Sequence, residues 1–221
     1  MDAHPRAVTI PPLGLPGALA APAPGRGVVA FAHGSGSGRL SPRNTFVAAQ
    51  LRRAGLGTLL FDLLRPEEAH DRAKVFDIGL LAGRLVQATD WLRSPQALGG
   101  AAAPVGYFGA STGAAAALIA AAERPEISAA VVSRGGRPDL AGEALLLVRA
   151  PTLLIVGGAD LGVIELNEEA LDRLRGPKAL EIVPGATHLF PEPGAMEAVI
   201  AQAGRWFERY LQAPGSARAA S

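Results

Sequence analysis

Short, continuous apolar runs alternate along this chain with longer stretches in which apolar side chains recur every three or four positions. The first pattern reads as buried strands and the second as helices. Strands are expected at 7–10, 13–20, 28–32, 58–61, 104–109, 128–133, 151–156 and 179–183, with Pro12 and Pro16 confining the second to an edge. Ser41 followed by Pro42 predicts a helix start, with the serine as N-cap and the proline at the first helical position, running to about Ala54. Ile78, Leu81, Leu85 and Leu92 mark a second helix, 139–148 a short one and 165–175 an amphipathic one. Met196, Val199, Ile200, Ala203, Phe207 and Leu211 form the stripe of a last helix. The stretch 112–123 is almost wholly alanine, leucine and isoleucine, as suits a helix buried on all sides.

From residue 28 onward strands and helices take turns, which predicts an α/β fold: one mostly parallel central sheet with helices on both faces. The connections are short, so no cap domain is expected. The longest, 63–75, is the one lid candidate, with its charged part at 65–74. Residues 1–27 read as an edge segment of the same domain, 28–212 as its body and 213–221 as a flexible tail.

Composition narrows the choice of function. With 221 residues, 49% of them hydrophobic and 19% charged, the chain holds enough apolar material for a sizeable core. Twenty-one basic and 20 acidic side chains leave a net charge of +1, which gives no electrostatic footprint for nucleic acid or an anionic membrane. No apolar run reaches the roughly 20 residues a membrane span needs. The proline-broken start lacks the pattern of a signal peptide, so a cytoplasmic location is expected. Cysteine is absent, which removes disulfides, cysteine-ligated zinc, iron–sulfur clusters and a cysteine nucleophile together. His33, Asp62 and His70 show no metal-ligand spacing, and no metal or cofactor is expected.

The chemistry concentrates where strands end. Gly109-Ala-Ser-Thr-Gly113 is a G-x-S-x-G motif with a strand before it and a helix after it. That context makes Ser111 a nucleophile on a sharp strand-to-helix turn rather than a simple N-cap. A serine needs a base, and the base needs an orienting acid. Of the four histidines, His188 follows the last strand, at the sheet edge where open α/β folds bind ligands. Asp160 ends another strand and lies between serine and histidine in the chain; Glu165 is the competing acid, and Asp160 has the rival role of capping a helix. The order Ser111, Asp160, His188 suits an α/β-hydrolase. Oxyanion donors are expected from the Thr112 N–H and, in the glycine-rich loop 33–38, from the Ser35 N–H. That loop matches neither phosphate-binding glycine pattern, so nucleotide binding is the weaker reading.

FAHGSGSG (31–38), SPRN (41–44), FDLL (61–64), GYFGASTGAAAAL (106–118), VSRGGRPDL (132–140), LIVGGAD (154–160) and VPGATHLF (183–190) together resemble the dienelactone hydrolase-like group of α/β-hydrolases. The resemblance covers roughly residues 28 to 210. It implies a single-domain α/β-hydrolase, a Ser111–Asp160–His188 triad and acyl transfer that cleaves a small carboxylic ester, lactone or thioester. Dienelactone hydrolases proper use a cysteine nucleophile, whereas this chain has Ser111, so the group name does not specify the substrate. Members also occur joined to phosphoribosyltransferases; 221 residues are expected to hold the hydrolase alone. The competing class is a non-enzymatic interaction or regulatory module on the same scaffold. Arg134 and Arg137 follow a strand toward the same edge. They suit either a substrate carboxylate or, more plainly, an ion pair such as Arg137 with Asp139. Arg39, Arg43 and Asn44 raise the same question.

Overall fold

The apolar runs become one eight-stranded sheet, ordered β1-β2-β4-β3-β5-β6-β7-β8, in a computed structural model that describes residues 4–100 and 103–212. The expected tail at 213–221 lies outside the described residues. The strands are β1 (Arg6–Ile10), β2 (Leu15–Ala20), β3 (Val28–Ala32), β4 (Gly57–Phe61), β5 (Val105–Ala110), β6 (Ser128–Arg134), β7 (Thr152–Gly157) and β8 (Lys178–Val183). From β4 to β8 every pairing is parallel, while β1 and β2 add an antiparallel hairpin at one side. The parallel strands therefore all end at one edge of the sheet, and the candidate residues follow those ends.

The helices are α1 (Pro42–Arg53), α2 (Arg72–Val75), α3 (Ile78–Leu92), α4 (Pro95–Leu98), α5 (Thr112–Glu123), α6 (Leu161–Arg173) and α7 (Ala195–Tyr210). Strand alternation divides the core in two. Ala30, Tyr107 and Val131 pack with Leu81 and Leu85 of α3 and the alanines of α5. Phe31, Phe108 and Val132 pack with Val47 and Leu51 of α1 and with Val199 and Phe207 of α7. Because α5 lies between the sheet, α3 and the segment Pro138–Leu147, its surface is apolar all round.

Several expectations need correction. β2 is not an edge strand, since β1 covers it on one side and β4 on the other. Pro16 is tolerated because its register with β4 begins only at Gly17, opposite Phe61; beyond that, Asp62 N–H donates to the Pro16 carbonyl. The helix expected at 139–148 is a 3₁₀ segment, Pro138–Leu147, broken at Gly142, where φ is 53°. α6 begins directly after Asp160 rather than at residue 165. Ser41 holds the N-cap position of α1, but its side chain makes no capping hydrogen bond.

The connection between β4 and α3 is folded down rather than free. The Glu68 side chain is only 5% exposed and pairs with Arg65 at 3.1 Å, Arg84 at 3.3 Å and Lys74 at 3.8 Å. Hydrogen bonds from the Arg65 N–H and guanidinium hold its carboxyl at about 2.

Candidate active site

Ser111 sits between the last residue of β5 and the first of α5, with φ 50° and ψ −124°, a conformation that L-residues rarely hold. The flanking glycines follow from close packing. A Cβ on Gly109 would lie 2.5 Å from the Ala114 Cα, and one on Gly113 would overlap the Ala32 carbonyl oxygen. The strained turn is tied to the end of β6 and to the segment after it: Ser111 N–H donates to the Arg134 carbonyl at 3.4 Å and Arg137 N–H to the Ser111 carbonyl at 3.1 Å. The first N–H groups of α5 have no acceptor within the helix and stand beside the hydroxyl.

Asp160 occupies the N-cap position of α6 without capping it. Its carboxylate instead takes a 2.7 Å hydrogen bond from His188 Nδ1. Glu165, the competing acid, is exposed on α6 and has no bond to His188. The His188 loop is stapled by Glu192, whose Oε1 accepts from the Thr187 hydroxyl at 2.6 Å and N–H at 3.1 Å, which lowers the Glu192 pKa. Two residues past His188, Phe190 also has a positive φ, 55°, with its ring buried. Gly135, φ 50°, closes the gap between the two halves: a Cβ there would lie 2.9 Å from the His188 carbonyl oxygen. Ser111 and His188 thus flank the end of β6, but the Ser111 hydroxyl makes no hydrogen bond to the imidazole in this structure.

The glycine-rich loop meets the elbow through two contacts. A Cβ on Gly34 would stand 3.0 Å from the Ser111 Cβ, and Ser35 N–H donates to Thr112 Oγ1 at 3.0 Å. The Ser35 N–H is therefore engaged here by the side chain of the other expected donor residue. Sequence reasoning missed what holds this loop. His33 is buried, with Nδ1 3.1 Å from the Gly34 carbonyl and Nε2 accepting from Leu63 N–H at 3.1 Å. Burial, the largest influence on it, lowers its pKa. That arrangement suits the neutral tautomer with the proton on Nδ1. Asp62 accepts from Arg39 N–H at 2.7 Å and pairs with Arg39 Nε at 3.2 Å. A carboxylate or imidazole just past a strand, next to a glycine loop, was the available signal. Buried Asn167 likewise donates to the Gly136 carbonyl at 3.0 Å.

The two arginines part company. Arg137 forms a bidentate pair with Asp139 at 2.8 and 2.7 Å, the plainer of the two sequence readings. Arg134 is buried, has no acidic partner among the described residues, and lies with its guanidinium 5.9 Å from the centre of the Phe190 ring. Beside the glycine loop opens a cavity of about 370 Å³, lined by polar His33, Ser35, Ser37 and Asp62 and by apolar Leu64, Pro66 and Val75. Among the described residues no cluster of His, Asp and Glu could hold a metal ion, and no helix is long and apolar enough to cross a membrane.

No family model matches the chain. Two proteins from strains of Mycobacterium tuberculosis, provisionally named phosphoribosyl transferases, are 57% identical over 204 residues. That match takes in 92% of this chain but 46% of theirs, so the chain spans about half their length. Among solved structures, a dienelactone hydrolase from Anabaena variabilis is 56% identical, with a TM-score of 0.90 over 96% of this chain and 100% of that one. An α/β serine hydrolase without a lid from Xanthomonas campestris shares the fold at 23% identity, TM-score 0.72, over 96% of this chain and 98% of its own.

Proposed function

The chain belongs to the dienelactone hydrolase-like family of α/β-hydrolases, and on that premise we propose that it is a serine hydrolase cleaving a small carboxylic ester, lactone or thioester. The observation that carries this reading is the 2.7 Å bond between His188 Nδ1 and Asp160, made at the sheet edge where Ser111 holds a strained φ of 50°. With Nδ1 committed to the carboxylate, Nε2 is the nitrogen left to accept a proton.

In the proposed reaction the Ser111 oxygen attacks the carbonyl carbon while His188 Nε2 takes the hydroxyl proton. Asp160 keeps the tautomer and stabilises the imidazolium. The carbonyl oxygen, now negative, is met by the Thr112 N–H and by the Ser35 N–H once Thr112 Oγ1 releases it. Collapse breaks the bond to the leaving group, which departs with the proton from His188. Water then attacks the acyl-serine by the same route in reverse and frees the acid. The missing Ser111–His188 hydrogen bond is the contact that substrate binding has to tighten.

The test is labelling with a fluorophosphonate probe, beside turnover of short-chain p-nitrophenyl esters, for wild type and Ser111→Ala. Labelling and turnover in the wild type alone are expected. A folded wild type that neither labels nor turns over any ester would replace this reading with a binding module on a hydrolase scaffold.

A further inference from the structure

The connection between β4 and α3 is highly charged in sequence, yet it supplies an apolar wall to the cavity beside the glycine loop. Leu64, Pro66, Ala69 and Val75 of this connection line that space, together with Leu81 of α3. Each lies close in sequence to a charged residue that does not line it. Leu64 and Pro66 flank Arg65, Ala69 follows Glu68, Val75 follows Lys74, and Leu81 stands about one helical turn before Arg84. Those four charged side chains converge on one another. Glu68 Oε1 pairs with Arg65 at 3.1 Å, Arg84 at 3.3 Å and Lys74 at 3.8 Å, while Oε2 accepts from the Arg65 N–H at 3.0 Å.

Apolar packing does not hold the middle of this segment. Pro66 and Ala69 are exposed, and the four residues of α2 bury none of their side chains. The ion cluster holds it instead. Glu68 is the one acid among the buried side chains of the described residues, and both of its oxygens are bonded. The Arg84 side chain is 9% exposed, and Glu68 is its ion-pair partner, so loss of the carboxylate leaves a buried guanidinium unpaired. Across the cavity stand Gly34 and Ser35 of the glycine loop. A Cβ on Gly34 would lie 3.0 Å from the Ser111 Cβ, so the cavity begins beside the nucleophile's own turn.

We propose that Glu68 is a positioning residue for the substrate: by clasping Arg65, Lys74 and Arg84 it keeps the β4–α3 connection in place as the wall of a cavity that takes an apolar chain of the ester. This deepens the serine-hydrolase reading and rests on it for the position of the scissile carbonyl at Ser111. A chain leaving that carbonyl passes the glycine loop and meets Leu64, Val75 and Leu81. Each methylene fully buried there raises kcat/KM by up to about fourfold. Glu68 touches no substrate; its effect is read as a preference for chain length.

The test is the ratio of kcat/KM, long chain over short, in two series: p-nitrophenyl hexanoate over p-nitrophenyl acetate, and hexyl acetate over ethyl acetate. The series in which wild type prefers the long chain names the end of the ester, acyl or alcohol, that enters the cavity. In Glu68→Gln that ratio is expected to fall about tenfold or more, through KM for the long ester. A loss of folded enzyme lowers both rates together and leaves the ratio alone, so a merely structural role does not move it. No preference in either series, or a ratio within twofold of wild type in Glu68→Gln, overturns the proposal. Should Glu68→Gln fail to fold, Arg65→Met loosens the same clasp at a side chain that is 40% exposed, and an unchanged ratio there overturns it instead. Ala69→Phe narrows the cavity with the clasp intact and is expected to lower the ratio too; no change would place the chain elsewhere and overturn the proposal as well. If wild type cleaves none of these esters, the hydrolase reading falls. Calorimetric titration of Ser111→Ala with methyl hexanoate and hexyl acetate still decides the clasp: binding that Glu68→Gln weakens about tenfold upholds it, and no binding, or binding that the substitution leaves unchanged, overturns it.

Discussion

Asp160 begins α6 by position, yet its carboxylate turns away from the helix to His188. That choice is invisible in the local sequence, where an aspartate before a helix reads equally well as a cap. Asp160→Asn keeps the shape but removes the charge and reverses the tautomer preference of the imidazole. Its kcat on p-nitrophenyl esters is expected to fall about 10³- to 10⁴-fold with the fold intact, by analogy with the serine-protease triad. Glu165→Gln, on the exposed side of α6, should stay within twofold. Steady-state kinetics on the two variants distinguish the two acids. The arginines teach the same lesson: Arg134 and Arg137 look alike in the sequence, but only Arg137 has a carboxylate two residues away at the right angle.

At the scale of the element, the loop 33–38 depends on His33. Its Nε2 accepts from Leu63 N–H, so a proton there would set two donors face to face. Because burial holds its pKa below the ordinary 6.5, the unfolded chain takes up a proton that the folded chain refuses. Stability is therefore fully present above about pH 7. It falls as the pH drops below about 6.5, by up to about 1.4 kcal/mol per pH unit. Urea denaturation between pH 7.5 and 5.5 measures the slope. A His33→Asn variant should be less stable at pH 7.5 and show a shallower slope; an unchanged slope would remove His33 from this role. The glycines around the loop were legible as permission for close approach. The residues that hold it were not, because Leu63 and Thr112 reach it across 30 and 77 positions of sequence.

The whole molecule is a sheet with a separate apolar cluster on each face, and the site lies where both clusters end. α7 closes one of them. Phe207 is fully buried, and a Cβ on Gly106 of β5 would come within 2.9 Å of its ring. Phe207→Ala is expected to cost about 3–5 kcal/mol, since the strand it packs on cannot collapse into the space. For a domain of this size that lowers Tm by roughly 6–20 °C, seen as an earlier thermal transition. A loss below about 1 kcal/mol would mean that α7 is loosely docked and contributes little to holding the start of β5, the strand that leads to Ser111.

Periodicity alone determined the alternation of strands and helices and the burial of α5, because the 2.0 and 3.6 repeats are local consequences of backbone geometry. The position of Ser111 was legible for a similar reason: strand, elbow and helix are contiguous in the chain. Tertiary structure decided what depends on distant neighbours. It placed β2 inside the sheet, because Pro16 lies past the point where β4 begins to pair with it. It joined Asp160 to His188 by bringing the ends of β7 and β8 side by side. And it left Arg134 buried without a counter-ion, since a side chain's partners are set by the elements packed over it and not by its neighbours in sequence.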